Sequence, residues 1–347
     1  MKPGLLILIS SLILFASCRK SNVNNSKSPG AYYDIYVVGG TYKIGVGYNN
    51  TAACWKNNTL ITLNDTNYNG CVGTGIAFNG GDTYMSGFEN NAFEVSNESE
   101  YPVYWKNGVK NTLKTLSNAS DVITQANFIA VSDNNIYIAG CQSNLSLGEV
   151  IWINGVPTAF GTLNSSPSGL YVANGDWYVS VFEPQNATAA YYKNGVRINL
   201  SSGSLNASAQ NIYVFGEDVY VVGYIINSAG IYNAVYWKNG VMTTISSNNS
   251  TGGSIYVDNG NVYVGGTENI NGNTIATIWE NGVATNVGPP NLDSYCFQVI
   301  TLNSDVYAVG YETDSAGNSE ALLWKNGVTT TLGPTPSYAY AIYPKLE

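Results

Sequence analysis

The sequence is poor in charge and contains no histidine. Only 11% of its 347 residues are charged. Without histidine the chain lacks the commonest metal ligand and the usual general base, which excludes Ser-His-Asp and Cys-His catalysis. Its 14 basic residues are outnumbered by 23 acidic ones, for a net charge of −9. Because nucleic-acid binding depends on basic groups that neutralise phosphates, no nucleic-acid partner is expected.

Long apolar runs are absent except at the N-terminus, which reads "MKPGLLILISSLILFASC". One lysine, a short apolar run and the small residues Ala16 and Ser17 predict a secretory signal peptide over residues 1–17. Residues 18–33 are polar and have too little apolar surface to order themselves, which predicts a flexible tether. The protein is therefore expected to be exported.

The end of this signal, Phe15-Ala16-Ser17-Cys18, resembles a bacterial lipobox. The resemblance implies that the chain is cut before Cys18 and that this cysteine is lipidated, which would hold the protein on a bacterial membrane. The outer membrane or the cell surface is the expected location, and the lipid is the only expected membrane contact. The alternative is a plain signal peptide in which Cys18 is incidental.

The rest of the chain is a repeat marked by two motifs that recur in step, about 40 to 50 residues apart. The first is a Trp-Lys-Asn-Gly hairpin, seen as CWKNN at 54, YWKNG at 104, IWING at 151, YYKNG at 191, YWKNG at 236, IWENG at 278 and LWKNG at 323. The second precedes it, as IYVVGG at 35, TYMSGF at 83, IYIAGC at 136, WYVSVF at 177, VYVVGY at 219, VYVGGT at 262 and VYAVGY at 306. Seven β-rich periods of this length are typical of propeller blades.

One period, residues 252–288, contains four short apolar runs and therefore predicts a four-stranded antiparallel blade. Asn-Gly between the last two runs supplies the positive φ of a type I′ turn. The chain enters at a second-strand motif and ends in "SYAYAIYPKLE", which matches a first strand. The expected fold is all-β, a seven-bladed β-propeller over residues 34–347, closed by pairing the C-terminal strand with the N-terminal blade.

The motif residues have structural expectations of their own. The tryptophan position is expected to pack between blades; it is occupied by Trp55, Trp105, Trp152, Trp237, Trp279 and Trp324, with Tyr192 in the remaining copy. The lysines beside the hairpin turns are expected to be solvated charges that form a basic fringe; they are Lys56, Lys106, Lys193, Lys238 and Lys325.

The two motifs together resemble the repeats of a group of uncharacterised bacterial surface lipoproteins and, more distantly, kelch blades. The likeness covers nearly all of residues 34–347, although the kelch Gly-Gly doublet occurs only at Gly39-Gly40 and Gly265-Gly266. It implies a propeller and brings no catalytic motif with it, and a fold alone does not define a function.

Binding is expected on one face of the disc. The turns within each hairpin motif are short and alike, whereas the loops of the opposite face, the long-loop face, are long, variable and rich in Asn, Ser and Tyr. The candidate ligand-binding residues on that face are aromatic or acidic: Tyr42, Tyr48, Phe88, Glu89, Phe93, Glu183, Tyr224, Tyr232, Glu268, Tyr311 and Glu312.

The glutamates at 89, 183, 268 and 312 all follow a second strand. They are interpreted either as a ring of carboxylates that binds a cation or acts on a glycoside, or as solvated loop charges. The sequence has no Asp-x-Asp-x-Asp-Gly calcium loop, and no metal site or cofactor is expected.

Once Cys18 is set aside, Cys54 and Cys71 are the cysteines from adjoining elements, and a disulfide between them is one expectation. Free buried thiols are the other. The chain has no Cys-x-x-Cys spacing of a metal or redox site.

The function expected from the sequence is that of a monomeric, lipid-anchored, non-catalytic envelope propeller that binds a glycan or an extracellular protein through its long-loop face. Two alternatives stay open: a structural or assembly component of an envelope complex, and a carboxylate-based carbohydrate-active enzyme.

Overall fold

Valine, isoleucine, tyrosine and threonine alternate along the chain, and they form short antiparallel strands. The computed structural model describes residues 32–42, 50–62, 71–90, 100–116, 123–143, 148–162, 165–183, 188–201 and 206–347. In these ranges there are 28 strands. No helix among the described residues has the length and apolar character needed to cross a membrane.

The strands form seven blades, numbered along the chain. Blade 1 consists of β1 (Tyr33–Tyr42), β2 (Asn50–Lys56), β3 (Thr59–Thr62) and the last strand, β28 (Ser337–Leu346). Blade 2 consists of β4 (Cys71–Asn79), β5 (Asp82–Asn90), β6 (Glu100–Lys106) and β7 (Val109–Thr112). Blade 3 consists of β8 (Ile123–Ser132), β9 (Asn135–Ser143), β10 (Glu149–Ile153) and β11 (Val156–Ala159). Blade 4 consists of β12 (Ser166–Ala173), β13 (Asp176–Phe182), β14 (Ala190–Lys193) and β15 (Val196–Asn199).

The remaining three blades follow the same plan. Blade 5 consists of β16 (Asn206–Phe215), β17 (Asp218–Ile226), β18 (Tyr232–Lys238) and β19 (Val241–Ser246). Blade 6 consists of β20 (Ser250–Asp258), β21 (Asn261–Ile270), β22 (Asn273–Glu280) and β23 (Val283–Asn286). Blade 7 consists of β24 (Ser294–Leu302), β25 (Asp305–Thr313), β26 (Ser319–Lys325) and β27 (Val328–Thr331).

The ring closes as the sequence predicts. The order in blade 1 is β28-β1-β2-β3, so the C-terminal strand supplies the first strand that the N-terminal blade lacks. Val37 pairs with Ile342 and Tyr33 pairs with Leu346 in antiparallel register. The edge of β1 is thereby covered, which confirms the seven-bladed, four-stranded propeller.

Packing between blades forms the core. The six motif tryptophans are at most 3% exposed and Tyr192 is 4% exposed, as expected for residues between blades. One apolar cluster joins Tyr220 and Val222 of blade 5 to Ile255 and Trp279 of blade 6. Each blade thus buries its faces against its neighbours, because a single sheet exposes both.

The glycine of the Tyr-Val-x-Gly motif allows close approach of the first two strands. A Cβ on Gly310 would lie 1.8 Å from the carbonyl oxygen of Tyr295 and 3.1 Å from Cζ3 of Trp324. The same clash with a first-strand carbonyl recurs in other blades, at Gly39, Gly87, Gly140, Gly223 and Gly266. Any larger residue would push the first strand away from the second.

The Trp-Lys-Asn-Gly hairpin ties the third strand to the start of the second. In blade 5, Asn239 has a φ of 50°, and its Oδ1 accepts a bond from the Val219 amide at 2.9 Å while its Nδ2 donates to Asp218 at 2.7 Å. Lys238 pairs with the other oxygen of Asp218 at 2.9 Å and lies 5.3 Å from the centre of the Tyr220 ring. Asparagine is selected because it tolerates the left-handed region and carries both a donor and an acceptor.

The hairpin lysines are at the surface, as expected, with 37–49% of each side chain exposed, and each is also held in an ion pair. Each pairs with the aspartate that begins the second strand of its own blade and lies over a tyrosine ring; besides Lys238 these are Lys56, Lys106, Lys193 and Lys325. The repeated hairpin is therefore a structural element on the face opposite the long loops.

Candidate functional site: the mouth of the central cavity

All seven first strands contain a β-bulge near their start, after two to four paired residues. The bulged residues, from blade 1 to blade 7, are Tyr340, Thr74, Asn127, Ser168, Gln210, Gly253 and Phe297. A bulge turns one side chain out of the regular alternation. Here all seven bulged residues line one cavity at the centre of the ring.

The cavity has a volume of about 1670 Å³ and is lined mainly by the first strands. Each first strand runs from the long-loop face to the hairpin face, so residues before the bulge lie at the long-loop mouth and residues after it lie deeper. Phe88, Phe182 and Tyr224, from second strands, also line the mouth. A concave site of this size is where ligand binding is expected in an unassigned protein.

One side of the mouth is lined by Tyr295, Phe297 and Tyr340 from blades 7 and 1. Tyr311 and Tyr338 pack against these rings without lining the cavity, and the five residues together are here called the aromatic arc. Tyr311 lies at the centre of this group, with its ring centroid 4.8 Å from Tyr295, 4.7 Å from Tyr338 and 5.6 Å from Phe297. Phe297 in turn lies 5.4 Å from Tyr340. Burial and the neighbouring tyrosines raise the pKa of Tyr311 to about 12, so its hydroxyl stays protonated at neutral pH.

The other side, here called the polar arc, is made by the bulged residues Thr74, Asn127, Ser168 and Gln210 of blades 2 to 5. Thr74 donates to the Ala126 carbonyl at 2.7 Å, and Ser168 donates to the Ala209 carbonyl at 3.0 Å. These bonds join adjacent blades. The polar arc therefore has a rigid frame, which limits the entropy lost when a ligand binds.

Amide groups provide the hydrogen-bonding capacity of the polar arc. Gln210 donates to Ser208 Oγ at 2.8 Å, which leaves its carboxamide oxygen for a ligand. Asn127 donates to Gln125 at 3.3 Å, and Gln125 donates to Glu100 at 2.5 Å. Glu100 is the only carboxylate among the described residues that line the cavity, and lysine and arginine do not occur among them.

A belt of aromatic rings, here called the tyrosine belt, lines the cavity near the hairpin face. It consists of Tyr171, Tyr213, Tyr256 and Tyr343, each three residues after a bulge, and Phe78. The ring centroids of Tyr171 and Tyr213 are 4.8 Å apart, those of Tyr213 and Tyr256 are 4.9 Å apart, and those of Phe78 and Tyr343 are 5.1 Å apart. Burial raises the pKa of all four tyrosines, most strongly that of Tyr213.

Several aromatic residues named from the sequence lie at this mouth. Phe88 and Tyr224 line the cavity, and Tyr311 belongs to the aromatic arc. Tyr232 is exposed at the rim, with its ring centroid 5.1 Å from that of Tyr224. Tyr42 is the last residue of β1, but its side chain lies outside the described part of the structure. Tyr48 and Phe93 are outside the described residues.

The four glutamates form neither a ring of ligands nor a set of solvated charges. Glu89 is 2% exposed and pairs with Lys110 at 3.2 Å, and Glu183 is 5% exposed and pairs with Arg197 at 2.5 Å. Glu268 is 7% exposed and accepts a bond from Ser246 at 2.7 Å. Glu89 and Glu183 contact the outer strands of their own blades, and Glu268 contacts β19 of the preceding blade. None of the three lines the cavity, which corrects both interpretations for them.

Glu312 is the exception, since it is half-buried and directly opposite Glu320 in the neighbouring strand. Burial, and then the charge of Glu320, raise its pKa. In the described ranges no group of three or more acidic or cysteine side chains is arranged to hold a metal ion.

A fifth glutamate, Glu149, is buried without a partner. It begins β10 at the position where five of the other six blades have alanine, it is fully buried, and neither carboxylate oxygen has a hydrogen-bond partner. Ser165 of the next blade approaches it without meeting hydrogen-bond geometry. Burial, and the charge of nearby Glu183, raise the pKa of Glu149.

Glu149→Gln is expected to stabilise the protein at alkaline pH. Because the pKa of Glu149 is higher in the folded state, its contribution to stability is greatest below the ordinary glutamate pKa and is lost as pH rises through the folded pKa. The variant should therefore melt higher than the wild type at pH 8, and the difference should shrink towards pH 4. Thermal melts across this range measure it, with the exposed Glu217→Gln as control. A lower melting temperature for Glu149→Gln at pH 8 would contradict the assignment.

The described cysteines are free. Cys54 and Cys296 are buried, and burial raises the pKa of each thiol to about 12. The free thiol of Cys54 is the state expected if the cysteines are unpaired, and not the state expected from a Cys54–Cys71 disulfide. The side chain of Cys71 lies outside the described residues.

Sequence reasoning missed the residues that shape the cavity, because it looked for binding groups in loops. The bulged residues are in strands, where an extra residue is not visible as a motif. One signal was available: when the first strands are aligned, as in "SYCFQVI" and "SYAYAIY", one column varies from glycine to tyrosine within an otherwise regular repeat.

No family model and no curated protein matches the chain. Among solved structures it is similar to the β-propeller domain of the Trilobed protease from Pyrococcus furiosus, with 12% identity over 87% of this chain and 94% of that one and a TM-score of 0.50. It is also similar to a puromycin-hydrolyzing peptidase of Mycobacterium tuberculosis, with 9% identity over 85% of this chain and 52% of that one and a TM-score of 0.52. Identities this low show the propeller fold alone.

Proposed function

We propose that this protein is an exported, non-catalytic carbohydrate-binding protein whose site is the long-loop mouth of the central cavity. The observation that carries the proposal is that three rings of the aromatic arc, Tyr295, Phe297 and Tyr340, line the same cavity as the polar arc. A sugar ring has an apolar face of C–H groups and a rim of hydroxyl groups. The aromatic arc matches the apolar face, and the amides and hydroxyls of the polar arc match the hydroxyl groups.

The charge of the cavity favours a neutral ligand. With one carboxylate, itself bonded to Gln125, and no lysine or arginine among its described lining residues, the cavity offers an anionic ligand no ion pair. Gly253 adds to the fit, because it places no side chain beside Phe297 and leaves room for a flat ring to approach.

A binding role is favoured over catalysis by the state of the carboxylates. Glu89 and Glu183 are engaged by Lys110 and Arg197, and Glu268 by Ser246, so none of the three is directed at a ligand in the cavity. A glycosidase needs two carboxyl groups placed on either side of the scissile bond.

The proposal is tested by incubating the mature protein with an array of neutral and charged glycans. Binding to neutral glycans, competed by the same free saccharide, is the expected result. Binding to charged glycans alone contradicts the proposal. Binding to no glycan also contradicts the proposal. The alternative, a protein partner that binds the long-loop face, would then be tested by crosslinking in intact cells.

Export and anchoring are part of the proposal and depend on Cys18, which lies outside the described residues. Cys18→Ala is expected to move the protein from the detergent phase to the aqueous phase, because the acyl chains that would hold it on the membrane are lost. Phase partitioning of whole-cell extracts measures this, with Cys54→Ala as the control that keeps the lipobox. A Cys18→Ala protein that stays in the detergent phase with unchanged processing would rule out the lipid anchor.

A further inference from the structure

We infer that the cavity is entered only from the long-loop face and that it takes the end of a neutral glycan chain, which reaches inward to the tyrosine belt. This inference rests on the proposed function and specifies its ligand. It distinguishes a protein that recognises chain ends from one that binds along a polysaccharide.

The first step is the depth of the cavity. On the four first strands that carry a belt tyrosine, that tyrosine is three residues after the bulged residue, which corresponds to about 10 Å along the strand. Lining residues extend across both levels, from Tyr295 at the mouth through Phe297 at the bulge to Ile300 at the level of the belt. A ligand that lay flat across the mouth would leave the deeper half unused.

The second step is the closure at the hairpin face. Tyr171, Tyr213 and Tyr256 come from three adjacent blades, and their rings are in contact in sequence. Tyr343 and Phe78, from blades 1 and 2, continue the belt. Tyr343, Tyr171 and Tyr256 all line the same cavity at this level. The belt therefore narrows the channel from several sides.

The third step is the chemistry of the belt. The rings of Tyr171, Tyr213 and Tyr256 are in contact in sequence, at centroid distances of 4.8 and 4.9 Å, and all three residues line the cavity, which places a row of three phenols there. Each phenol has one donor and spare acceptor capacity, and none carries charge at neutral pH. This is a surface for the hydroxyl groups of a terminal sugar, whereas an internal segment of a chain, which continues in both directions, cannot reach it.

The probes are neutral hexasaccharides of glucose, mannose, galactose and xylose, each compared by calorimetry with the long-chain polymer of the same linkage. If the protein binds the end of the chain, the polymer and the hexasaccharide will have the same affinity when concentration is expressed as moles of chain ends. When concentration is expressed as moles of sugar residues, the affinity for the polymer will be far lower than that for the hexasaccharide. Equal affinity per sugar residue overturns the inference and leaves the proposed function standing. Failure of every probe to bind overturns the proposed function itself.

Tyr213→Phe tests the belt directly, because it removes one hydroxyl and keeps the ring. The expected result is about tenfold weaker binding of the hexasaccharide that binds the wild type. Tyr236→Phe is the matched control: it lies in the same blade, is half-buried, and does not line the cavity. Unchanged affinity in Tyr213→Phe, or an equal loss in the control, overturns the role of the belt. A melting curve for both variants separates loss of binding from loss of folding.

Discussion

A protein that lacks residues 337–347 is expected to lose cooperative unfolding and to aggregate. The deletion removes β28, so β1 loses its partner and the inner strand of blade 1 disappears. It also exposes Val37, Ala53 and Trp55, which pack in one cluster with Ile342 and with residues of blade 7. An open edge beside uncovered apolar surface favours association between chains. Calorimetry and light scattering measure both effects.

A substitution in the full-length chain provides a second test of closure. A Cβ on Gly39 would lie 1.9 Å from the Tyr338 carbonyl, so Gly39→Val should force β1 and β28 apart and cost about 3 kcal/mol or more. Gly81→Val is the matched control, because no atom lies within 4 Å of a Cβ built there. Unchanged melting of the truncated protein, or equal melting of the two valine variants, would show that closure does not stabilise the ring.

Alanine substitutions in the aromatic arc are expected to have the largest effects on binding. Phe297→Ala and Tyr340→Ala each remove a ring from the bulge level, where a sugar is proposed to stack. If the energetics resemble those of a base on an aromatic side chain, each change will cost about 1–3 kcal/mol of binding free energy. The double variant should lose detectable binding in calorimetry, while the melting temperature reports whether the propeller is still folded.

The control for these variants is Val283→Ala, at an exposed residue beside a hairpin turn on the opposite face. It should leave affinity unchanged. Gln210→Ala, in the polar arc, should weaken binding less than the aromatic changes, because a hydrogen bond exchanged with water contributes less than a lost stacking contact. Loss of binding in Val283→Ala with full binding in Phe297→Ala would place the site on the hairpin face.

The repeat made the fold predictable. Asn239 and Gly240 have the backbone conformation that only a few residue types adopt readily. The Asn-Gly pair in six periods and Asn57-Asn58 in the other therefore mark seven hairpins. Trp237 and its counterparts are buried because their spacing places them on the face that meets the next blade. Local rules of turn and strand therefore predicted the blade, and the unmatched ends predicted its closure.

The site was less predictable, for two physical reasons. A bulge such as that at Phe297 depends on how two strands pair, and the pairing of Cys296 with Gly310 and of Gln298 with Val309 is not visible in either strand alone. The orientation of the Glu183 side chain depends on Arg197. Glu183 follows the second strand of blade 4, whereas Arg197 lies in the fourth strand. Of the residues named from the sequence, Phe88 and Tyr224 line the cavity, whereas Glu89, Glu183 and Glu268 are buried against other side chains.

The most direct test of carbohydrate binding at the central cavity is a crystal structure of the propeller with the neutral oligosaccharide that it binds most tightly on the array. We expect a sugar ring stacked on Phe297 and Tyr340, hydroxyl groups within hydrogen-bond distance of Gln210 or Asn127, and a chain end directed at Tyr213. A saccharide bound on the hairpin face or along the outer strands, with the cavity filled by water alone, would contradict this expectation.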